Sequence, residues 1–111
     1  MKIFMDKLSP DGSPVAKRLR EARKNAGLSQ KSLGELADVD PNSASARLNQ
    51  YETGKHSPDF GMLQRLAKVL TVPVEFFYTS NDDIAQLLVK IHLMDKVKKD
   101  EFLNRFKLHD Q

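Results

Sequence analysis

The chain has no cysteine and no tryptophan, and only five glycines and five prolines among its 111 residues. Without cysteine there is no disulfide, no thiolate nucleophile and no cysteine-ligated zinc, so a zinc finger is excluded. With so little Gly and Pro the sequence is neither a linker nor a low-complexity polymer. Long apolar runs are missing as well. Ile3-Phe4-Met5, Phe76-Phe77-Tyr78 and Leu87-Leu88-Val89 fall far short of the roughly 18 residues that span a bilayer or the ~7–15 of a secretory h-region. The expectation is a soluble, unexported, cytoplasmic protein. There is no Gly-rich phosphate loop and no G-x-S-x-G elbow, and His56, His92 and His109 stand apart from one another. Neither an enzyme nor a metal or other cofactor is therefore expected. The acid pairs Asp82-Asp83 and Asp100-Glu101 sit at or near helix starts, where the helix dipole accounts for them.

What is present suits one folded domain with a small appendage: 40% hydrophobic and 30% charged residues in a chain of ordinary domain length. The net charge of +3 is mild, but it is unevenly placed. Residues 1–78 hold 12 Lys/Arg against 9 Asp/Glu, whereas residues 79–111 hold 6 of each. Any basic face belongs to the first two thirds of the chain.

Residues 1–12 show no sustained period and end in Ser9-Pro10-Asp11-Gly12, which reads as a short N-terminal arm, flexible except where Ile3, Phe4 and Met5 find a surface. Ser13-Pro14 then looks like a cap followed by a proline in the first helical position. A first helix should run from Pro14 to about Ala26, with Val15, Leu19, Ala22 and Ala26 inward and Gly27 as its left-handed stop. Ser29 can cap a second helix from Gln30 to Asp38, with Leu33, Leu36 and Ala37 inward. After turn chemistry at Val39 to Asn42, with Asp40 or Asn42 as a cap, a third covers roughly Ser43 to Glu52. Its small apolar face, Ala44, Leu48 and Tyr51, leaves Ser45, Ala46, Arg47, Asn49 and Gln50 pointing elsewhere. Asp59 caps a fourth helix over Phe60 to Leu70, and Val72-Pro73 restarts a short fifth to about Tyr78, with Val74, Phe77 and Tyr78 closing the core. A sixth, Asp82 to Met94, and a seventh from Lys96 to about Lys107, capped by Asp95, complete an all-α chain.

Two short helices joined by a turn, the second presenting Ser, Arg, Asn and Gln with no outward acid, is an arrangement that suits a DNA major groove. Asn and Gln pair bidentately with adenine, and Arg with guanine. At this point the chain resembles the lambda-repressor-like helix-turn-helix regulators, also called the XRE or Cro-like family. The resemblance is carried by Leu28-Ser29-Gln30, Leu33, Val39, Leu48, Tyr51-Glu52, Gly54, Pro58, Leu63, Leu66-Ala67, Leu70 and Val72, and covers about Val15 to Tyr78. It implies a compact five-helix DNA-binding domain, here residues 13–79, followed by two further helices in 80–111. It also implies a transcriptional regulator of bacteria or phages, usually dimeric, acting on double-stranded DNA. Gln30 matches the position that sits at the DNA backbone and braces the reading helix. Ser45, Ala46, Arg47, Asn49 and Gln50 match base-facing positions, and Lys55 and His56 lie in a loop that tracks phosphates. Arg23 and Glu52 match a structural pair.

The departures are Asp40 to Ser43, which lengthen the turn or add a turn to the third helix; Gly34, where Ala is common; and Asp38, where Gly usually takes a left-handed conformation. Other features keep two readings. The basic residues of the first helix, Lys17 and Arg18 among them, form either a solvated face or a phosphate contact. The stripe Ile84, Leu87, Leu88 and Ile91, with Phe102 and Phe106 beyond it, is either a lid on the core or a dimer surface, displayed by an antiparallel helical hairpin. The overall expectation is a sequence-specific repressor or autoregulator that binds an inverted repeat as a homodimer. The rivals are a protein-binding adaptor and an antitoxin-like protein that caps a partner.

Overall fold

A computed structural model of the chain describes residues 8–107; Ile3, Phe4, Met5 and His109 lie outside them. The described residues form six α-helices and one 3₁₀ helix, with no strand. In chain order these are α1 (Val15–Asn25), α2 (Gln30–Leu36), α3 (Ala44–Glu52), α4 (Phe60–Leu70), the 3₁₀ helix Val74–Tyr78, α5 (Asp82–Leu93) and α6 (Lys96–Asn104).

Side-chain oxygens at the helix starts explain most of these boundaries. Ser29 accepts from Ser32 N–H, Asp59 from Met62, Asn81 from Ile84 and Asp95 from Lys98, each satisfying a backbone donor the helix leaves unpaired. The start of α1 differs from the sequence expectation. Ser13 makes no capping bond and its hydroxyl is buried without a partner, whereas Ser9, seven residues earlier than Ala16, accepts that residue's N–H at 3.1 Å. Ser9 is itself buried, so the end of the expected N-terminal arm is anchored on the domain at this residue. The stop of α1 is as the sequence implies: Gly27 is left-handed at φ 71° and the N–H of Leu28 reaches back to Arg23 O.

The core joins α1, α2, α3, α4 and the 3₁₀ helix. Leu19, Leu33, Leu48, Leu63, Leu66 and Phe77 are fully excluded from solvent, each worth roughly 1.5–3 kcal/mol of burial. Three expected core residues are outside it. Ala26 is exposed, because α1 ends at Asn25 and Ala26 is its cap, beyond the buried stripe Val15, Leu19 and Ala22. Leu36 is 60% exposed, because α2 buries the narrow stripe Leu33, Gly34 and Ala37 and Leu36 falls off its edge. Tyr78 is exposed and Phe76 takes its place, meeting Phe77 edge-on at 5.7 Å.

The additional residues Asp40 to Ser43 enter the turn and do not extend α3. Asn42 N–H donates to the Asp40 carboxylate at 2.9 Å and Ser43 N–H to Asp40 O at 2.9 Å, a side-chain turn that delivers the chain to Ala44. Asp38 holds the left-handed conformation at φ 67°.

The C-terminal helices depart from the expected hairpin. α6 does not fold back along α5 and buries none of its residues. Met94 and Asp95, which join the two helices, are both extended.

Candidate nucleic-acid interface

α3 is held by its inner face alone. Ala44 and Leu48 are completely buried and Tyr51 nearly so, while Ser45, Ala46, Arg47 and Asn49 are exposed and Gln50 is half-buried. Gly34 lets α3 approach this closely. A Cβ there would sit 2.8 Å from Ala44 Cβ and 2.9 Å from Leu48 Cδ2, inside any tolerable contact. Although Ala is common at this position in the family the chain resembles, here Ala44 occupies the space an alanine would need.

The single acid of α3, Glu52, is buried and faces inward. Arg23 of α1 grips it through two hydrogen bonds, Nε to Oε2 at 2.6 Å and Nη2 to Oε1 at 3.0 Å, and gives its third donor to Leu28 O at 2.9 Å. The hydrogen bond to the Glu52 carboxylate raises the Arg23 pKa, in a fork-to-carboxylate geometry. Gln30, the first residue of α2, completes the bracing. Its side-chain amide donates to Glu52 Oε1 at 3.1 Å and to Asn49 Oδ1 at 3.2 Å. α1, α2 and α3 are thus joined at one point by side chains that lie far apart in sequence, and Asn49 is oriented from behind.

The loop after α3 is tied to it directly. Gln50 O accepts from the N–H groups of Lys55 at 3.0 Å and His56 at 3.2 Å, around Gly54 at φ 79°. Both side chains are exposed beside the C-terminal end of the reading helix. Only Gly fits at residue 54, because a Cβ would strike the Leu8 carbonyl where the N-terminal segment crosses the loop.

Lys17 and Arg18 do not join this constellation. Arg18 is 1% exposed, and its guanidinium faces Glu21, Asp82 and the carbonyls of Thr79 and Ser80. It is removed from the phosphate-contact set, because a fully enclosed guanidinium with its donors engaged has none to offer DNA. Lys17 reaches Asp82 at 3.5 Å on the same side. Sequence reading had no signal for this junction, since Asp82 lies 64 residues further along the chain. Nor are the two parts of the C-terminal apolar set brought together. Ile84 and Leu87 are exposed and Leu88 and Ile91 half-buried on the side of α5 away from Ala85 and Val89. Phe102 of α6 and Phe106, just past its end, meet in a tilted ring contact with centroids 5.1 Å apart. Among the described residues no group of three His, Cys, Asp or Glu converges as a metal site, and no helix is long and apolar enough to cross a membrane.

A helix-turn-helix family model matches residues 19–77, more than half of the chain. A search of curated protein sequences gives no match. Among solved structures, the crystal structure of the transcriptional regulator BswR superimposes with a TM-score of 0.75 at 45% identity, covering 82% of this chain and 89% of that one. The likeness therefore extends beyond the matched family region. With the braced α2–α3 pair seen directly, the chain belongs to the helix-turn-helix family of the lambda-repressor-like, or XRE, type.

Proposed function

We propose that this protein is a sequence-specific, double-stranded DNA-binding transcriptional regulator, a repressor or autoregulator that binds an inverted repeat as a homodimer. The observation that carries this reading is the outer face of α3: Ser45, Ala46, Arg47 and Asn49 exposed in a row, with the helix's one acid turned inward and paired. Acids on that face would meet phosphates; hydroxyl, guanidinium and amide groups meet base edges. Asn49 Oδ1 accepts from Gln30 and has a second lone pair for an adenine amino group, while its own NH₂ is free to meet N7. Ala46 offers a methyl surface to thymine, and Gln30, Lys55 and His56 flank the reading helix as phosphate contacts.

The dimer reading rests on α5 and α6. Ile84, Leu87, Leu88 and Ile91 recur at the spacing of a helix–helix seam on the face turned away from the domain core, and α6 buries nothing within its own chain. A nine-residue helix that buries none of its residues is marginal in water, so a second copy is the partner we assign to these faces. They would equally serve a capped toxin in an antitoxin-like protein, and co-purification of a second, different chain would favour that rival. In an adaptor, activity would survive Lys55→Glu.

The absence of cysteine makes a direct test simple. A single thiol introduced by Ser45→Cys and carrying a tethered DNA-cleaving reagent should cut a selected duplex at two sites roughly 34–36 Å apart, one per half-site. One cut would contradict the homodimer. No cutting on a duplex that the labelled protein still binds would contradict α3 as the reading element.

A further inference from the structure

Arg18 is more completely enclosed than any other charged side chain among the described residues. Its Nε donates to Thr79 O at 2.8 Å, Nη2 to Ser80 O at 3.0 Å and to Asp82 Oδ1 at 2.9 Å, and Nη1 to the Glu21 carboxylate at 3.2 Å. Phe76 covers it, with the guanidinium carbon 5.7 Å from the ring centroid. Two of these acceptors are backbone carbonyls in the segment leading out of the 3₁₀ helix, and Asp82 is the first residue of α5. Arg18 therefore grips the root of α5. Beyond this grip α5 has a slender hold on the domain, since Ala85 is its one buried residue and Val89 packs only partly on the core.

The same helix holds the reading head at its other end. Arg23 of α1 clamps Glu52 of α3, while Arg18 clamps the start of α5. α1 is thus a rod with one arginine fixed to the element that reads DNA and another fixed to the element that carries the outward seam. We infer that Arg18 is a positioning residue for operator recognition: by fixing the direction in which α5 leaves the domain, it sets the separation of the two α3 helices in the homodimer and so the half-site spacing the protein accepts. This rests on the homodimer reading above. A planar guanidinium with several donors in fixed directions suits such a role, because it fixes orientation where a lysine would fix only a distance.

The test is binding to duplexes that carry two copies of the selected half-site with the spacer lengthened by one to five base pairs, together with a duplex carrying one half-site. Wild type, Arg18→Lys and Asp82→Ala are compared, the last at a side chain exposed enough to leave the fold intact. Wild type should show one optimum and lose about 10–100-fold away from it, since a second site that geometry cannot reach adds no avidity. Both variants should flatten that profile to within about threefold, while their affinity for the single half-site stays unchanged. If Arg18→Lys does not fold, Asp82→Ala decides alone. Variants that keep the wild-type optimum with its full depth would overturn the inference and leave the homodimer standing. A wild type that binds every spacer equally, as one copy per duplex, would overturn the homodimer and the inference with it.

Discussion

The side-chain amide of Gln30 donates to Asn49 Oδ1 at 3.2 Å while also reaching Glu52 at 3.1 Å, so the residue that opens α2 orients the residue best placed to read a base. The two side chains act as a unit. Gln30→Ala should weaken binding to the cognate duplex by about 1 kcal/mol, the net worth of a hydrogen bond. In an Asn49→Ala background the same change should cost clearly less, which a double-mutant cycle of duplex affinities measures.

Gly34→Ala tests the close approach of α2 and α3. An alanine would gain up to ~1 kcal/mol of helix propensity. It would also overlap Ala44 and Leu48 at 2.8 and 2.9 Å, an overpacking typically worth 1–3 kcal/mol. The net expectation is destabilisation by about 1–2 kcal/mol in urea unfolding, partly relieved by Ala44→Gly in the same chain.

Thr71 ends α4 in the left-handed conformation, at φ 57° and ψ 47°. A β-branched residue is strained there and glycine is not. Thr71→Gly should stabilise the protein by about 1 kcal/mol, a rise of a few degrees in melting temperature.

Asp82 has its carboxyl pKa held below the ordinary 3.8, first by the hydrogen bond from Arg18 and then by the charge of Lys17. A depressed carboxylate pKa contributes stability above the unfolded value and loses it as pH falls through the folded one. Wild type should therefore melt above Asp82→Asn at neutral pH. The gap should hold down to the ordinary carboxylate pKa and close below it, as read by melting curves across the acid range.

Local chemistry made much of this molecule legible. Ser29, Asp59 and Asp95 announce helix starts because a cap acts on a neighbour three residues away, and Gly27 announces a stop for the same reason. The family pattern around Gln30, Glu52 and Gly54 located the reading unit.

What escaped the sequence depends on residues distant in the chain. Ser9 replaced Ser13 as the α1 cap because the N-terminal segment loops back over it. Arg18 looked like one more basic residue on a basic helix until Thr79, Ser80 and Asp82 closed around it. Leu36 was misplaced because the inward stripe of α2 is set by what α3 presses against it, and a seven-residue helix is too short for periodicity to decide. α6 was expected to pair with α5, and pairing depends on the backbone at Met94 and Asp95, which composition does not specify.

The central claim is that α3 reads bases. Its most direct test is selection from a pool of randomised duplexes at two salt concentrations, with wild type and the Asn49→Ala/Gln50→Ala double variant in parallel. The account predicts that wild type enriches a palindromic motif and that the double variant loses or relaxes it while keeping salt-dependent binding to unselected DNA. Enrichment of the same motif by both proteins, or by neither, would contradict it.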